Sequence, residues 1–460
     1  MKRTHEIRMA MTGDSFITQR LPRDDASLQA IRELLMDADV RFTNLETTVH
    51  NFDAYPSAAS GGTWAASRPS VLKDLRWLNF NLLACANNHS LDWSHNGLLQ
   101  TIHYLSQEDW TFAGIGSNLA EAGRPCYLDT KNGRVALISV TATFENWHRA
   151  GEQRPDVIGR PGINPLGHHA IHYVPDRWMQ VLKQIDQQTD IDAKANLDII
   201  EGFKSGNGGS FCVGGAEFRL GKPGTSTLMD RGDAERIGRS IREASRQADV
   251  VFISIHSHEM RGMDKEQPAE FIRQFARFCI DQGAQALIGH GPHVLRGIEL
   301  YKGCPIFYSL GDFIFQNDTV ERQPAEFYDL YHLDSDSTPA DGFDARSDHG
   351  NRGLAANPKV FESVIGSMIL ENGRVEEIRL TPITMGFDKP RSGKGRPSLA
   401  SSSDGTRIIG RLKKLSEPFG TKISIREGIG CISIRENQRV SELSEDGDRN
   451  GEDQSMETDF

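Results

Sequence analysis

The sequence predicts a layered α/β fold. Two observations carry that prediction: apolar, β-branched runs alternate with segments of helical period, and nearly every such run stops on a residue able to bind a metal. At 460 residues, 38% hydrophobic and 25% charged, the chain can bury a sizeable core as one large domain with insertions or as two domains.

Taken in order, strands are predicted over IRMAMTGD (7–14), VRFTNLE (40–46), FNLLACANNH (80–89), RVALISVTAT (134–143), VVFISIHSH (250–258), AQALIGHGPH (284–293) and PIFYSLGDF (305–313). Between them, residues 24–39, 68–78, 93–107, 233–247 and 267–282 read as helices, with Pro69 and Pro268 where a first turn tolerates proline. Residues 363–383 form a strand, an Asn372-Gly373 turn and a second strand, a strong hairpin pattern. Three segments break the rhythm. Residues 144–228, rich in Gly, Pro and His, read as an insertion carrying one helix; the acidic, Tyr- and Phe-containing stretch 317–358 reads as a long loop. Residues 388–405 read as a linker before a short helix (407–418) and a final strand pair (422–434). The expected organisation is therefore a main domain over 1–387, a linker and C-terminal extension over 388–435, and a disordered acidic tail over 436–460.

A net charge of -11 disfavours nucleic acid or anionic membrane as the main partner. No apolar run reaches the roughly 20 residues that span a bilayer, so no membrane anchor is expected. The opening MKRTHEIRMAMTGD lacks the apolar core of a signal peptide. Cys85, Cys126, Cys212, Cys279, Cys304 and Cys431 are scattered without a CxxC pair, the usage of reduced thiols in a cytoplasmic protein. The oligomeric state is not legible.

The stretch LLACANNHSLDW (82–93) shows the pattern that matters: an apolar run ends on Asn87, Asn88, His89 and Asp92. Asp14 closes the first run, Asn44 and Glu46 the second, His256 and His258 a later one, then His290 and His293, and finally Asp312. Singly, each is an ordinary turn or strand-end residue. Together they are not, because strand ends on one side of a layered α/β domain converge on one cleft. Carboxylates, amide oxygens and imidazoles are the mixed donor set of Mn, Fe, Zn, Mg or Ca sites.

The ordered blocks GD, NLE, ANNHSLD, HSHE, GHGPHV and YSLGDFIF resemble those of the CapA family, bacterial capsule and poly-γ-glutamate synthesis proteins related to calcineurin-like metallophosphoesterases. The resemblance covers about residues 7–316 and implies a four-layer α/β/β/α sandwich of metallophosphoesterase type, with insertions, around one or two divalent metal ions. It implies Asp14, Glu46, Asn88, His256, His290 and His293 as metal ligands. It also implies His89 as general acid, with Asp92 near enough to orient it. His258 joins these two as a catalytic candidate, and Asn44, Asn87, Glu259 and Asp312 are candidate substrate-binding residues. Three blocks depart from the superfamily: Asp-x-His becomes Asp14-Ser15-Phe16, Glu46 stands where a bridging Asp is usual, and the last block is His290-x-x-His293 rather than His-x-His.

A metal in such a set polarises a carbonyl or phosphoryl oxygen and activates water, and a neighbouring imidazole protonates the leaving group. The resulting expectation is a hydrolase acting on a phosphoester, or on an amide of a poly-γ-glutamate-like chain. The alternative is a metal-dependent peptide epimerase of lasso-peptide type, in which histidines remove and return a Cα proton while His168, His169, His172 and segment 317–358 form a peptide-binding lid. A third is a non-catalytic subunit of a polymer-synthesis complex. Other routes lack their motifs: GNGGSFCVGG (206–215) has no Gly-Lys-Ser/Thr ending, GIGS (114–117) is no dinucleotide fingerprint, and no GxSxG elbow occurs.

Overall fold

The computed structural model describes residues 6–206, 210–435 and 437. The tail expected over 436–460 lies outside the described residues, Asn437 excepted. Two sheets form an α/β sandwich. In the ten-stranded sheet, Glu6–Phe16, Val40–Leu45, Leu82–Ala84 and Thr111–Ala113 run parallel and adjacent; on the other side of Glu6–Phe16 lie antiparallel Glu362–Glu371, Arg374–Thr384, Ile429–Ser433 and Ser424–Arg426. The six-stranded sheet has a parallel centre of Gly133–Thr141, Val250–His256, Ala286–His290 and Cys304–Leu310, with antiparallel Cys126–Thr130 and Leu295–Tyr301 at its edges.

Alternation along the strands builds the layers, because successive side chains face opposite sides of a sheet. Met9, Met11, Phe42 and Leu82 of the first sheet share a core with Leu137, Phe252 and Ile288 of the second. Ala10 and Leu83 face the other way, packing with Leu28, Ile31 and Leu35 of the helix Ala26–Met36 and with Leu72, Leu75 and Leu98 of the next two helices. The second sheet likewise turns Ile138, Ile253 and Leu287 to Ile237 and Ile241 of Arg231–Ala244 and to Phe271 and Phe275 of Glu270–Asp281. These helices carry apolar residues at helical spacing, and Asp25 and Asp230 cap two of them by accepting the Ser27 and Asp233 amides.

Several elements end elsewhere than the sequence suggests, each for a local reason. The run 284–293 stops pairing at His290, because Gly291 has φ 118° and His293 φ 61°. The run 305–313 breaks at Gly311 (φ 74°), and Asp312–Phe315 crosses to pair with the first strand in the other sheet. Segment 317–358, expected as a loop, holds the short helices Ala325–Leu330 and Pro339–Ser347 around buried Phe327 and Phe343. The insertion 144–228, expected to carry one helix, has two α-helices among its described residues, Asp176–Gln188 and Ala193–Ile200, beside a four-stranded sheet that includes His168–Val174. The stretch read as a linker includes the strand Ser398–Leu399 and the start of the helix Ser402–Ser416, and the strands that follow it extend the ten-stranded sheet. Among the described residues no helix is long and apolar enough to cross a membrane, and all six cysteines are free thiols.

Candidate metal centre

Two Gly-Asp pairs seat the site, Gly13-Asp14 inside the first strand and Gly311-Asp312 at a break between two strands. Asp14 and Asp312 are paired across adjacent parallel strands, and the Asp14 amide donates to Gly311 O at 3.2 Å. The approach is so close that a Cβ on Gly13 would fall 1.6 Å from Gly311 O. Neighbouring strands are in matching register: Asp14 lies opposite Asn44, and His256 opposite His290.

Asp14 Oδ1 accepts from Asn44 Nδ2 at 2.7 Å and stands 2.9 Å from His290 Nδ1 and 3.5 Å from His256 Nδ1; its Oδ2 accepts the Gly291 amide at 2.7 Å. Ser254 Oγ, 2.7 Å from His290 Nε2, fixes the far side of that ring. His256 Nε2 is 3.1 Å from His258 Nε2 and 3.6 Å from Glu46 Oε1. His293 Nδ1 lies 3.1 Å from Asp312 Oδ1. Three donor groups result, each with ligand atoms within 4.8 Å of one another: Asp14, His256 and His290; Glu46, His256 and His258; and Glu46, His293 and Asp312. Glu46 and His256 each belong to two of them.

The electrostatics fit a cation. Burial alone would raise the Asp14 carboxyl, but His290 and His256 hold it well below the usual range. Glu46 goes the other way, pushed well above by burial and then by Asp14, Asp312 and Asp92. Burial raises Asp312 to about 6 against the pull of His293. His256 is lowered to about 4 by burial, and His258 falls well below its ordinary value through burial and then His256 and His293. Both Glu46 carboxylate oxygens and Asn88 Oδ1 are buried with no hydrogen-bond partner among the described residues. Neutral imidazoles facing unpartnered oxygens are a donor set that a divalent ion completes.

Beside this cluster His89 Nδ1 is 2.6 Å from Asp92 Oδ2, which also accepts the Ala65 amide at 2.7 Å. That bond fixes the ring and leaves Nε2 as its free nitrogen. Asn87 supports it from behind: Oδ1 accepts the His89 amide and Nδ2 donates to Leu45 O at 2.8 Å. Phe16, standing where the superfamily block has its histidine, presents an edge to the His89 ring at 5.2 Å. A Cβ on Gly61 would lie 2.6 Å from Asn88 Nδ2, so the loop carrying Gly61 covers this side of the site.

Glu259 is placed differently from the other candidates. Its carboxylate accepts from Thr143 Oγ1 at 2.9 Å and Ser257 Oγ at 2.7 Å, and so braces the loop after His258. Sequence reasoning did not single out Ser254, Gly61 or Arg296. Ser254 was within reach, since it precedes His256 by two residues on one strand face. Arg296 is fully buried and donates to the carbonyls of Lys265 (2.8 Å), Ser257 (3.3 Å), His258 (3.4 Å) and Glu259 (2.9 Å). Of the histidines in the insertion, His168 stacks on Phe271 at 4.4 Å and His172 Nδ1 is 3.0 Å from Thr225 Oγ1.

A sandwich whose strand ends gather carboxylates and imidazoles between two sheets is metallophosphoesterase-like. Residues 8–317 match the family model described as "Bacterial capsule synthesis protein PGA_cap", and the chain belongs to that family. It is 35% identical over 440 residues to protein y4sH of Sinorhizobium fredii, covering 93% of both chains. It is 26% identical over 314 residues to the PGA biosynthesis protein CapA of Bacillus subtilis, covering 68% of this chain and 63% of that one. With the capsule biosynthesis protein CapA of Bacillus anthracis the identity is 24% over 273 residues, 59% of this chain and 49% of that one.

Proposed function

We propose that the chain is a divalent-metal-dependent hydrolase of metallophosphoesterase type, acting on a phosphoester or on an amide of a poly-γ-glutamate-like polymer in capsule-type metabolism. The observation that carries this reading is the Glu46 carboxylate, buried and unpartnered among His256, His258, His293 and Asp312. Asp14, Glu46, His256, His290, His293 and Asp312 would hold one or two ions, with Asn88 Oδ1 as an additional ligand. The metal would supply Lewis acidity toward a carbonyl or phosphoryl oxygen and activate water.

The chain's own residues do the rest. Asp92 fixes the His89 ring through Nδ1, so the proton given to a leaving oxygen or nitrogen is held at Nε2. Phe16 and the Gly61 loop close off solvent beside that nitrogen. Asn44 and Asn87 orient Asp14 and the His89 turn, so they act by positioning rather than by touching substrate. The six free thiols favour a cytoplasmic setting.

One observation favours peptide epimerisation as a second reading. His258, kept neutral by burial, and the His89–Asp92 pair provide the two acid–base groups such a reaction needs. Mass spectrometry of γ-glutamyl peptides, α-linked peptides and phosphoesters incubated in isotopically heavy water, with and without chelator, tests both. Hydrolysis gives two fragments with solvent oxygen in one of them, abolished by chelator. Deuterium at a Cα without cleavage overturns hydrolysis in favour of epimerisation.

A further inference from the structure

A cavity of about 490 Å³ is lined by Lys265, Asp318, Phe343, Arg346, Arg352 and Leu354 among others. Its charges are unbalanced. The Lys265 side chain is half-buried, yet its ammonium makes no hydrogen bond or ion pair with any described residue. Arg346 and Arg352 spend their side-chain bonds on neutral acceptors: Arg346 on Gly62 O and Thr63 Oγ1, Arg352 on the carbonyls of Arg346 and Ala345. The one carboxylate in the lining among the described residues, Asp318, accepts from Asn317 at 2.8 Å and acts electrostatically on Lys394.

Residues on both flanks of the cavity connect to the metal centre. On one, Asp312 of the Glu46, His293 and Asp312 group acts electrostatically on Lys265, and Arg296 anchors the Lys265 carbonyl together with those of Ser257 and His258. On the other, Arg346 holds the loop whose Gly61 packs on Asn88 and His89. A half-buried ammonium that makes no hydrogen bond or close ion pair has lost water for only the longer-range pull of Asp312, an arrangement that an anionic ligand corrects.

We propose that this cavity is an anion-binding subsite of the reaction centre, taking a carboxylate or phosphoryl group of the substrate, with Lys265 as its counter-ion and Arg346 and Arg352 lining it. The proposal rests on the reading of the adjacent cluster as the place where substrate reacts.

Isothermal titration calorimetry of the full chain, as purified, tests it with three probes: γ-linked triglutamate, its neutral amide counterpart and inorganic phosphate. Wild type is compared with Lys265→Met and Lys265→Arg, each first shown to unfold at the wild-type temperature. At least one anionic probe should bind wild type, more weakly as salt is added, and lose at least about tenfold in affinity in Lys265→Met, with Lys265→Arg recovering most of it. The probe that shows this loss identifies the group as carboxylate or phosphoryl. Three results overturn the proposal: neither anion binds wild type, Lys265→Met binds both as wild type does, or, where triglutamate is the anion that binds, its neutral counterpart binds as tightly. Because no turnover is measured, Lys265-dependent binding without hydrolysis upholds the subsite while the hydrolase reading fails. Chelator-sensitive hydrolysis with Lys265-independent binding does the reverse.

Discussion

Both Glu46 carboxylate oxygens are buried without a hydrogen-bond partner among the described residues, while its acidity is suppressed by burial and by Asp14, Asp312 and Asp92. Leaving such a group unpaired costs on the order of several kcal/mol, which a bound cation offsets. The sign of the pH dependence follows. In the absence of metal, Glu46 is raised well above the usual range and Asp312 to about 6, so both hold protons that an arriving cation displaces. Metal affinity should therefore fall as pH drops through about 6, and uptake near that pH should release protons, read by calorimetry in buffers of different ionisation enthalpy. On the proposed reading His89→Asn removes the proton donor and leaves the ligands in place, so turnover should fall roughly 10²–10⁴-fold with metal content unchanged. Metal loss in that variant would make His89 a ligand instead. At this scale the sequence was most legible where a motif ends a strand, as in His256 and His290; Asp14, expected to close the first strand, lies inside it, because the strand runs on to Phe16. The sequence was least legible where a loop with no period, such as that around Gly61, is brought in by tertiary contacts.

The backbone that carries the ligands does as much as the ligands themselves. Gly13→Ala would place its Cβ 1.6 Å from Gly311 O, forcing apart the two strands that align Asp14 with Asp312. About 2–4 kcal/mol of stability should be lost, with metal content falling in the fraction that still folds, measured by denaturant titration and elemental analysis. Arg296 works on the hairpin Met260–Arg261 with Asp264–Pro268 and on the backbone of His258. Arg296→Met gives up four bonds to carbonyls, and a loss of about 3 kcal/mol or more is expected in the same titration. The long helices and central strands were readable because their apolar spacing matches 3.6 or 2 residues over many positions. Thr111–Ala113 has three residues, too few to show a period. The switch of Asp312–Phe315 between sheets depends on the backbone at Gly311, which no pattern of side chains reveals.

At the scale of the molecule, two sheets face each other across one apolar core, and the ends of their central strands meet at the carboxylate–imidazole cluster. This convergence was foreseeable because layered α/β folds place their sites at strand ends. The small sheet in the insertion was not: its strand Ala216–Leu220 is half-exposed to exposed and carries no buried apolar face. Nor was the junction in which strands from the segment read as an extension continue the ten-stranded sheet, since such long-range pairing leaves no local pattern. The central claim is that the cluster holds a divalent cation through Glu46 and His256, the two residues shared between donor groups. Elemental analysis of purified wild type, Glu46→Gln and His256→Ala, each confirmed folded by its thermal transition, tests it most directly. Wild type should carry at least one equivalent of a divalent transition or alkaline-earth metal, and both variants should lose most of it. Metal-free wild type after reconstitution with Mn, Fe, Zn, Mg and Ca, or full metal content in both variants, would contradict the account.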